Sequence, residues 1–168
     1  TLQIMNRHCI KLNKILVMQK NSLIALLDCC FPNANTLFTS PRRESDGHEK
    51  WVDFVLKFPH VDSVAKLSLS AFKTKYQSWC KKDHYNYSES KAEQIHAYAR
   101  TLVSTLPMTD AIKKMVSDSA KLLNSTLEAL GTLHSEMDSL TSQLPEYETV
   151  MNLFAFGKVT CSQLIAEI

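Results

Sequence analysis

Only three glycines, Gly47, Gly131 and Gly157, punctuate 168 residues, so the backbone has few places to turn through positive φ at no steric cost. A dinucleotide fingerprint needs three glycines close together and a phosphate loop needs two, so neither fits. A turn-rich β-sandwich or barrel is excluded on the same ground, and five prolines do not supply the missing turns. The fold class that remains is all-α: a small helical cluster, a long coiled-coil-like arm and a terminal helix-hairpin-helix stub.

Apolar spacing supplies the helices. Ile10, Leu12, Ile15, Leu16, Leu23, Leu26 and Leu27 predict a helix over 5–29, ended by Phe31-Pro32 because proline disfavours helix in the residue before it. The polar stretch 33–46, running into Gly47, reads as a loop, and a short helix from Glu49 to Leu56 stops before Pro59. Ser68 or Ser70 caps a helix through Lys82 whose apolar side is Leu69, Phe72, Tyr76 and Trp79. Ser90-Lys91-Ala92-Glu93 has the form of a capping box and predicts a helix to about Leu106, broken at Pro107.

Thr109 then caps the longest periodic stretch, Asp110 to Leu144. Val116, Ala120, Leu123, Leu127, Leu130, His134, Met137, Thr141 and Leu144 alternate by fours and threes, and seven of these nine are apolar. Such a helix reaches roughly 50 Å. Ile112, Met115, Leu122, Leu133 and Leu140 widen its apolar face. The pattern predicts a coiled-coil seam or one arm of a helical hairpin, with Val116, Leu123, Leu127, Leu130, Met137 and Leu144 as an oligomer seam. Gly131 inside it costs about 1 kcal/mol against alanine, which predicts close packing or a bend there. The domains expected are a helical region over 1–106, the long helix over 107–144 and a terminal segment over 145–168.

A net charge of +2 dictates neither a nucleic-acid nor a membrane partner. Its distribution is uneven: residues 1–30 carry +3 and residues 108–168 carry −4, so the arm suits a basic helix better than DNA. No apolar run is long enough to cross a membrane. Five cysteines, Cys9, Cys29, Cys30, Cys80 and Cys161, without C-x-x-C spacing fit buried thiols in a reduced, cytoplasmic protein. The chain begins without an initiator Met and ends within an apolar helical run, so a piece of a longer protein is expected.

No pattern for catalysis is present: neither G-x-S-x-G nor H-E-x-x-H occurs, and the carboxylates are scattered over helix faces. Cys80, His84 and His96 invite a zinc reading but lack a fourth ligand, and packing is the favoured role. Lys73, Lys75, Lys81 and Lys82, interleaved with Tyr76 and Trp79, read first as a solvated basic face and second as a contact for a nucleic-acid backbone. The sharpest signal is the tail, Val150 to Ile168, which reads as helix, tight turn, helix. Backbone amides at the second helix's start suit a phosphate, and Gly157, Lys158 and Thr160 stand where such contacts fall. Ala155 replaces the first glycine of a G-apolar-G hairpin.

This tail, following Leu144-Pro145-Glu146-Tyr147, resembles a junction in the DEDD-type, bridge-RNA-guided transposases of the insertion-sequence 110 family, where a leucine-rich helix and an L-P turn precede a "G-V-G…L-x-A-E-I-G-D" stretch. Phe156-Gly157 and Leu164-Ile165-Ala166-Glu167-Ile168 match that stretch. Leu26-Leu27-Asp28 with Phe31-Pro32 is similar to the family's "L-L-D-x-x-F-P" block, Leu56-Lys57-Phe58-Pro59 with Lys66-Leu67-Ser68 to the next, and Ser90-Lys91-Ala92-Glu93 to its "K-A-E" helix. The blocks keep their order over nearly the whole chain.

The resemblance implies an interdomain, oligomerising segment of a recombinase acting in transposition of a bacterial insertion sequence. It implies a RuvC-like domain upstream whose acidic residues hold magnesium, a domain with a nucleophilic serine downstream, and DNA and a bridge RNA as partners of the intact enzyme. No catalytic residue carries over, no cofactor is expected within the segment itself, and Ser162 is not that nucleophile. The alternatives are a non-catalytic coiled-coil interaction protein and a helix-hairpin-helix DNA-repair module.

Overall fold

The computed structural model describes residues 1–154 and 157–167, and these are all-helical, with no strand among them. In order they form α1 (Leu2–Cys30), a 3-10 turn (Ala34–Thr36), α2 (Lys50–Lys57), α3 (Asp62–Ala65), α4 (Leu69–Lys82), α5 (Glu89–Thr101), α6 (Asp110–Thr141), α7 (Glu146–Phe154) and α8 (Lys158–Glu167). No helix among them is long and apolar enough to cross a membrane. The chain divides into two compact units, Gln19–Asn124 and a second made of Thr1–Met18 with Ser125–Ile168. This partition cuts through the two longest helices, α1 and α6, instead of falling at the breaks near 106 and 144.

The larger unit is organised around α2. Trp51, Val52, Asp53, Phe54 and Val55 are buried in succession, so this short helix is covered on every side. The Phe54 ring lies among Phe58, Phe38, Trp79, Phe31 and Tyr76, at centroid distances of 4.9, 5.5, 5.7, 6.0 and 6.3 Å. Phe72 extends the cluster by stacking on Tyr76 at 5.7 Å and on His96 at 5.9 Å.

Helix ends explain most departures from the periodicity. Ser68 caps α4 as expected, accepting from the Ala71 amide at 3.2 Å, and Thr109 accepts from Ile112 at 3.3 Å to open α6. For α5 the cap is Ser88, two residues before the expected box, and it accepts from Lys91 at 3.3 Å. The Glu93 carboxylate that a box at Ser90 requires is held instead by Lys73, at 2.6 Å. Nor does α5 reach Leu106. It stops at Thr101, because the next residues satisfy the orphan carbonyls at the end of α1. The Cys29 carbonyl accepts from the Thr105 amide, the Leu106 amide and the Ser104 hydroxyl, at 3.0, 3.1 and 2.9 Å. His60 tightens the same junction: its Nε2 donates to the Leu106 carbonyl at 2.9 Å while Nδ1 accepts from the Asp62 amide.

The smaller unit holds the N-terminal part of α1, the second half of α6, and α7 with α8. Cys9 meets Met137 with sulfurs 3.5 Å apart, Asn6 donates to Glu167 at 2.7 Å, and Thr141 shares a 2.8 Å hydrogen bond with Ser162. Helix α6 ends at Thr141 rather than Leu144, since Pro145 disfavours helix at the residue before it.

The expected oligomer seam needs correcting here. Val116, Ala120, Leu123, Leu127, Leu130 and Met137 are buried within the single chain, and only Leu144 remains open, at 36 % exposure. Periodicity marks the apolar side of α6 but not which helix covers it, and one chain suffices. The close packing expected at Gly131 is absent as well: the residue is exposed, and an added Cβ would meet nothing within 4 Å. Gly131→Ala therefore removes only the helix penalty of glycine. It should stabilise the fold by about 1 kcal/mol, seen as a 2–4 °C rise in the thermal midpoint; a lower midpoint would contradict this placement.

His134 sits half-buried on α6, its Nε2 enclosed without a hydrogen-bond partner, and burial lowers its pKa. The unfolded imidazole gains its proton near pH 6.5 while the folded one resists it, so stability is full above about 6.5 and falls as the pH drops below it. Thermal midpoints followed downward from neutral pH should decline less steeply for His134→Gln than for the natural chain. Equal declines would remove His134 as a source of the pH dependence.

Candidate nucleic-acid interface

Helices α7 and α8 pack as a hairpin over a core of Val150, Cys161 and Ile165, flanked by Tyr147 and Met151. The Gly157 carbonyl accepts from the Cys161 amide at 3.0 Å and so opens α8. The first amides of a helix have no acceptor inside it, and Gly157, Lys158, Val159 and Thr160 are all exposed. Gly157, Lys158 and Thr160 thus come together at one helix start, as the sequence predicts.

A Cβ built on Gly157 meets nothing within 4 Å among the described residues, so packing there leaves open space. What a bare Cα provides is room for an external group to approach the backbone. Working against an anion is Asp138, whose Oδ2 lies 4.0 Å from Lys158 Nζ and whose Oδ1 accepts from the Tyr147 hydroxyl at 2.6 Å. The hairpin turn itself, with Ala155 and Phe156, lies outside the described residues, as does Ile168.

The larger unit contains a polar centre that periodicity does not reveal. Asp53, 5 % exposed, accepts from the Tyr85 hydroxyl at 2.6 Å, from Asn124 Nδ2 at 2.8 Å and from Arg43 Nη2 at 3.3 Å, and pairs with His48 Nδ1 at 3.1 Å. Arg43 also grips Asp46 at 2.6 Å, donates to the Asp83 carbonyl and lies 4.8 Å over the Tyr85 ring. Gly47 closes this loop in the left-handed region at φ 77°, its amide donating to the Arg43 carbonyl. Burial, then the hydrogen bond to Asp53, pushes the Tyr85 phenol up, so it stays protonated and donating. A neighbouring carboxylate, Glu49, is raised by burial but held below its ordinary value overall by Lys20, Trp51 and Arg42. These contacts clamp the polar loop onto α2; the sequence clue is one carboxylate inside Trp51-Val52-Asp53-Phe54-Val55.

The zinc candidates take structural roles. Cys80 is buried, its thiol raised by burial, and His96 Nε2 donates to the Leu67 carbonyl at 2.8 Å. His84 terminates α4 in the left-handed conformation, φ 57°, letting the Tyr85 amide reach the Cys80 carbonyl at 2.8 Å. Among the described residues no three His, Cys, Asp or Glu side chains cluster to hold a metal ion. Cys9, Cys30, Cys80 and Cys161 are buried free thiols and Cys29 is half-buried; burial pushes Cys30 up to about 11.

Of the four basic residues on α4, Lys73 is spoken for, lying 2.8 Å from Glu89 and 2.6 Å from Glu93. Tyr76 and Trp79 are buried and offer no open face for a base to stack on. No protein-family model, curated protein or solved structure matches the chain.

Proposed function

We propose that this chain is the helical interdomain segment of a bridge-RNA-guided DNA transposase of the insertion-sequence 110 kind, acting in DNA transposition of a bacterial insertion sequence. What carries the reading is the order of five sequence blocks over nearly the whole chain, from Leu26-Leu27-Asp28 to Leu164-Ile165-Ala166-Glu167-Ile168. The all-helical architecture supports it, as does a helical hairpin whose second helix presents exposed residues at Gly157, Lys158 and Thr160. Magnesium and the serine nucleophile belong, on this reading, to domains flanking the segment in a cytoplasmic enzyme, and DNA and bridge RNA are partners of that intact enzyme. Any role in assembly needs a face other than the α6 seam, which is buried. The alternative of a coiled-coil interaction protein lacks that same exposed seam.

The purified chain should neither cut nor join DNA, with or without magnesium. It should bind nucleic acid weakly, without sequence preference and with an affinity falling steeply as salt rises. Lys158→Ala should lower the salt slope by about one unit at most. Ala155→Gly should strengthen binding if the turn is a phosphate-binding hairpin. Metal-dependent nicking abolished by one carboxylate substitution, or tight binding indifferent to salt, would overturn the reading.

A further inference from the structure

Two clefts in the larger unit lie side by side along α4 and share Lys57 and Ser78. The first, about 370 Å³, adds Lys75, Thr74, Ser63 and Phe58; the second, about 190 Å³, adds Lys82, Trp79, Leu56, Asp53 and Asp83. Lys75, Ser78 and Lys82 repeat at the three- and four-residue spacing that places them on one face of α4, and Lys57 stands at the end of α2. All three lysines are exposed, and no carboxylate lies within ion-pair distance of them among the described residues. Lys20, Lys66 and Lys73 in the same unit are each paired.

The fold therefore leaves three like charges uncompensated around one continuous groove. Two carboxylates line its second half, Asp53, which shares Arg43 with Asp46, and Asp83, so the three lysines still outnumber them. The hydroxyls of Ser63 and Thr74 are spent on backbone carbonyls, whereas the Ser78 side chain has no hydrogen-bond partner among the described residues.

We propose that this groove binds the phosphodiester backbone of a nucleic-acid duplex, with Lys57, Lys75 and Lys82 as the contacting charges. Lys75 and Lys82 are seven residues apart, about 10 Å along the helix. Charges spaced along a helix in this way suit the successive phosphates of a polyanionic chain. A single strand would need exposed aromatic platforms, and Tyr76 and Trp79 are closed inside the core. The contact positions a duplex without reading its bases. The inference deepens the proposed function and rests on it only in supposing that the chain works on nucleic acid.

The test is fluorescence anisotropy of the whole chain with a short labelled DNA duplex and a matching RNA hairpin, titrated between about 50 and 200 mM salt. The triple variant Lys57→Ala, Lys75→Ala, Lys82→Ala should lower the salt slope by about 2 to 3 units. Lys73→Ala, which removes a charge already neutralised, should leave it unchanged. Circular dichroism should match for all variants, because the three groove lysines are exposed. A triple variant that keeps the natural slope, a chain that binds neither duplex, or full displacement of the duplex by inorganic phosphate at matched ionic strength would each overturn the groove. The functional reading would stand or fall separately, on the domains encoded around this segment.

Discussion

Asp53→Ala is expected to cost about 3–5 kcal/mol, because it strips the shared acceptor from the Tyr85 hydroxyl and from Asn124 and removes one of the two carboxylates that hold the half-buried Arg43, leaving it Asp46 alone. In a chain of this size that lowers the thermal midpoint by roughly 10 °C or more. The damage should be confined to Gln19–Asn124, the unit in which every one of these partners lies. Asp53→Asn keeps one oxygen and one hydrogen-bonding shape, so it should fall between the two. A cost below about 1 kcal/mol for Asp53→Ala, the range of a surface ion pair, would contradict the clamp.

Leu127→Lys separates a core face from an oligomer seam. Leu127 is 4 % exposed within one chain, so a lysine there must bury an unpaired charge or force the helix away from its neighbours. The expected loss is several kcal/mol, read as a collapse of the thermal midpoint. An oligomer seam predicts something else: a fall in sedimentation mass, with protomers that still unfold at the original temperature. That second outcome would restore the seam to an interface between copies.

What the sequence made legible was mostly local. The apolar spacing of α1 and α6 locates both helices to within a few residues, because their stripes repeat over many turns. Ser68 and Thr109 are readable as caps because each stands directly before an apolar run. Between Ser88 and Ser90 the pattern is ambiguous, and the choice is made by Lys73, which comes from another helix and draws Glu93 away. The α5 boundary fails for a similar reason, since residues 104–106 answer to the Cys29 carbonyl, over 70 positions earlier in the chain. Helix α3, four residues long, is too short to have a period.

The same distinction governs the sites. Gly157, Lys158 and Thr160 are neighbours in sequence, so their convergence at the start of α8 could be read directly. The Asp53 centre gathers Arg43, His48, Tyr85 and Asn124 from distant segments, and only the isolated carboxylate within an apolar run hints at it. Lys57 gives no local sign that it shares a groove with Lys75 and Lys82.

The central claim, that this is the helical middle of a transposase, is tested most directly by sequencing the coding DNA on both sides of the codons for Thr1 and Ile168 in the source genome. The account predicts one continuous frame, with a RuvC-like domain bearing a spaced acidic set upstream and a domain carrying a serine nucleophile downstream. A frame closed by stop codons at both flanks, or one joined to unrelated domains, would contradict it.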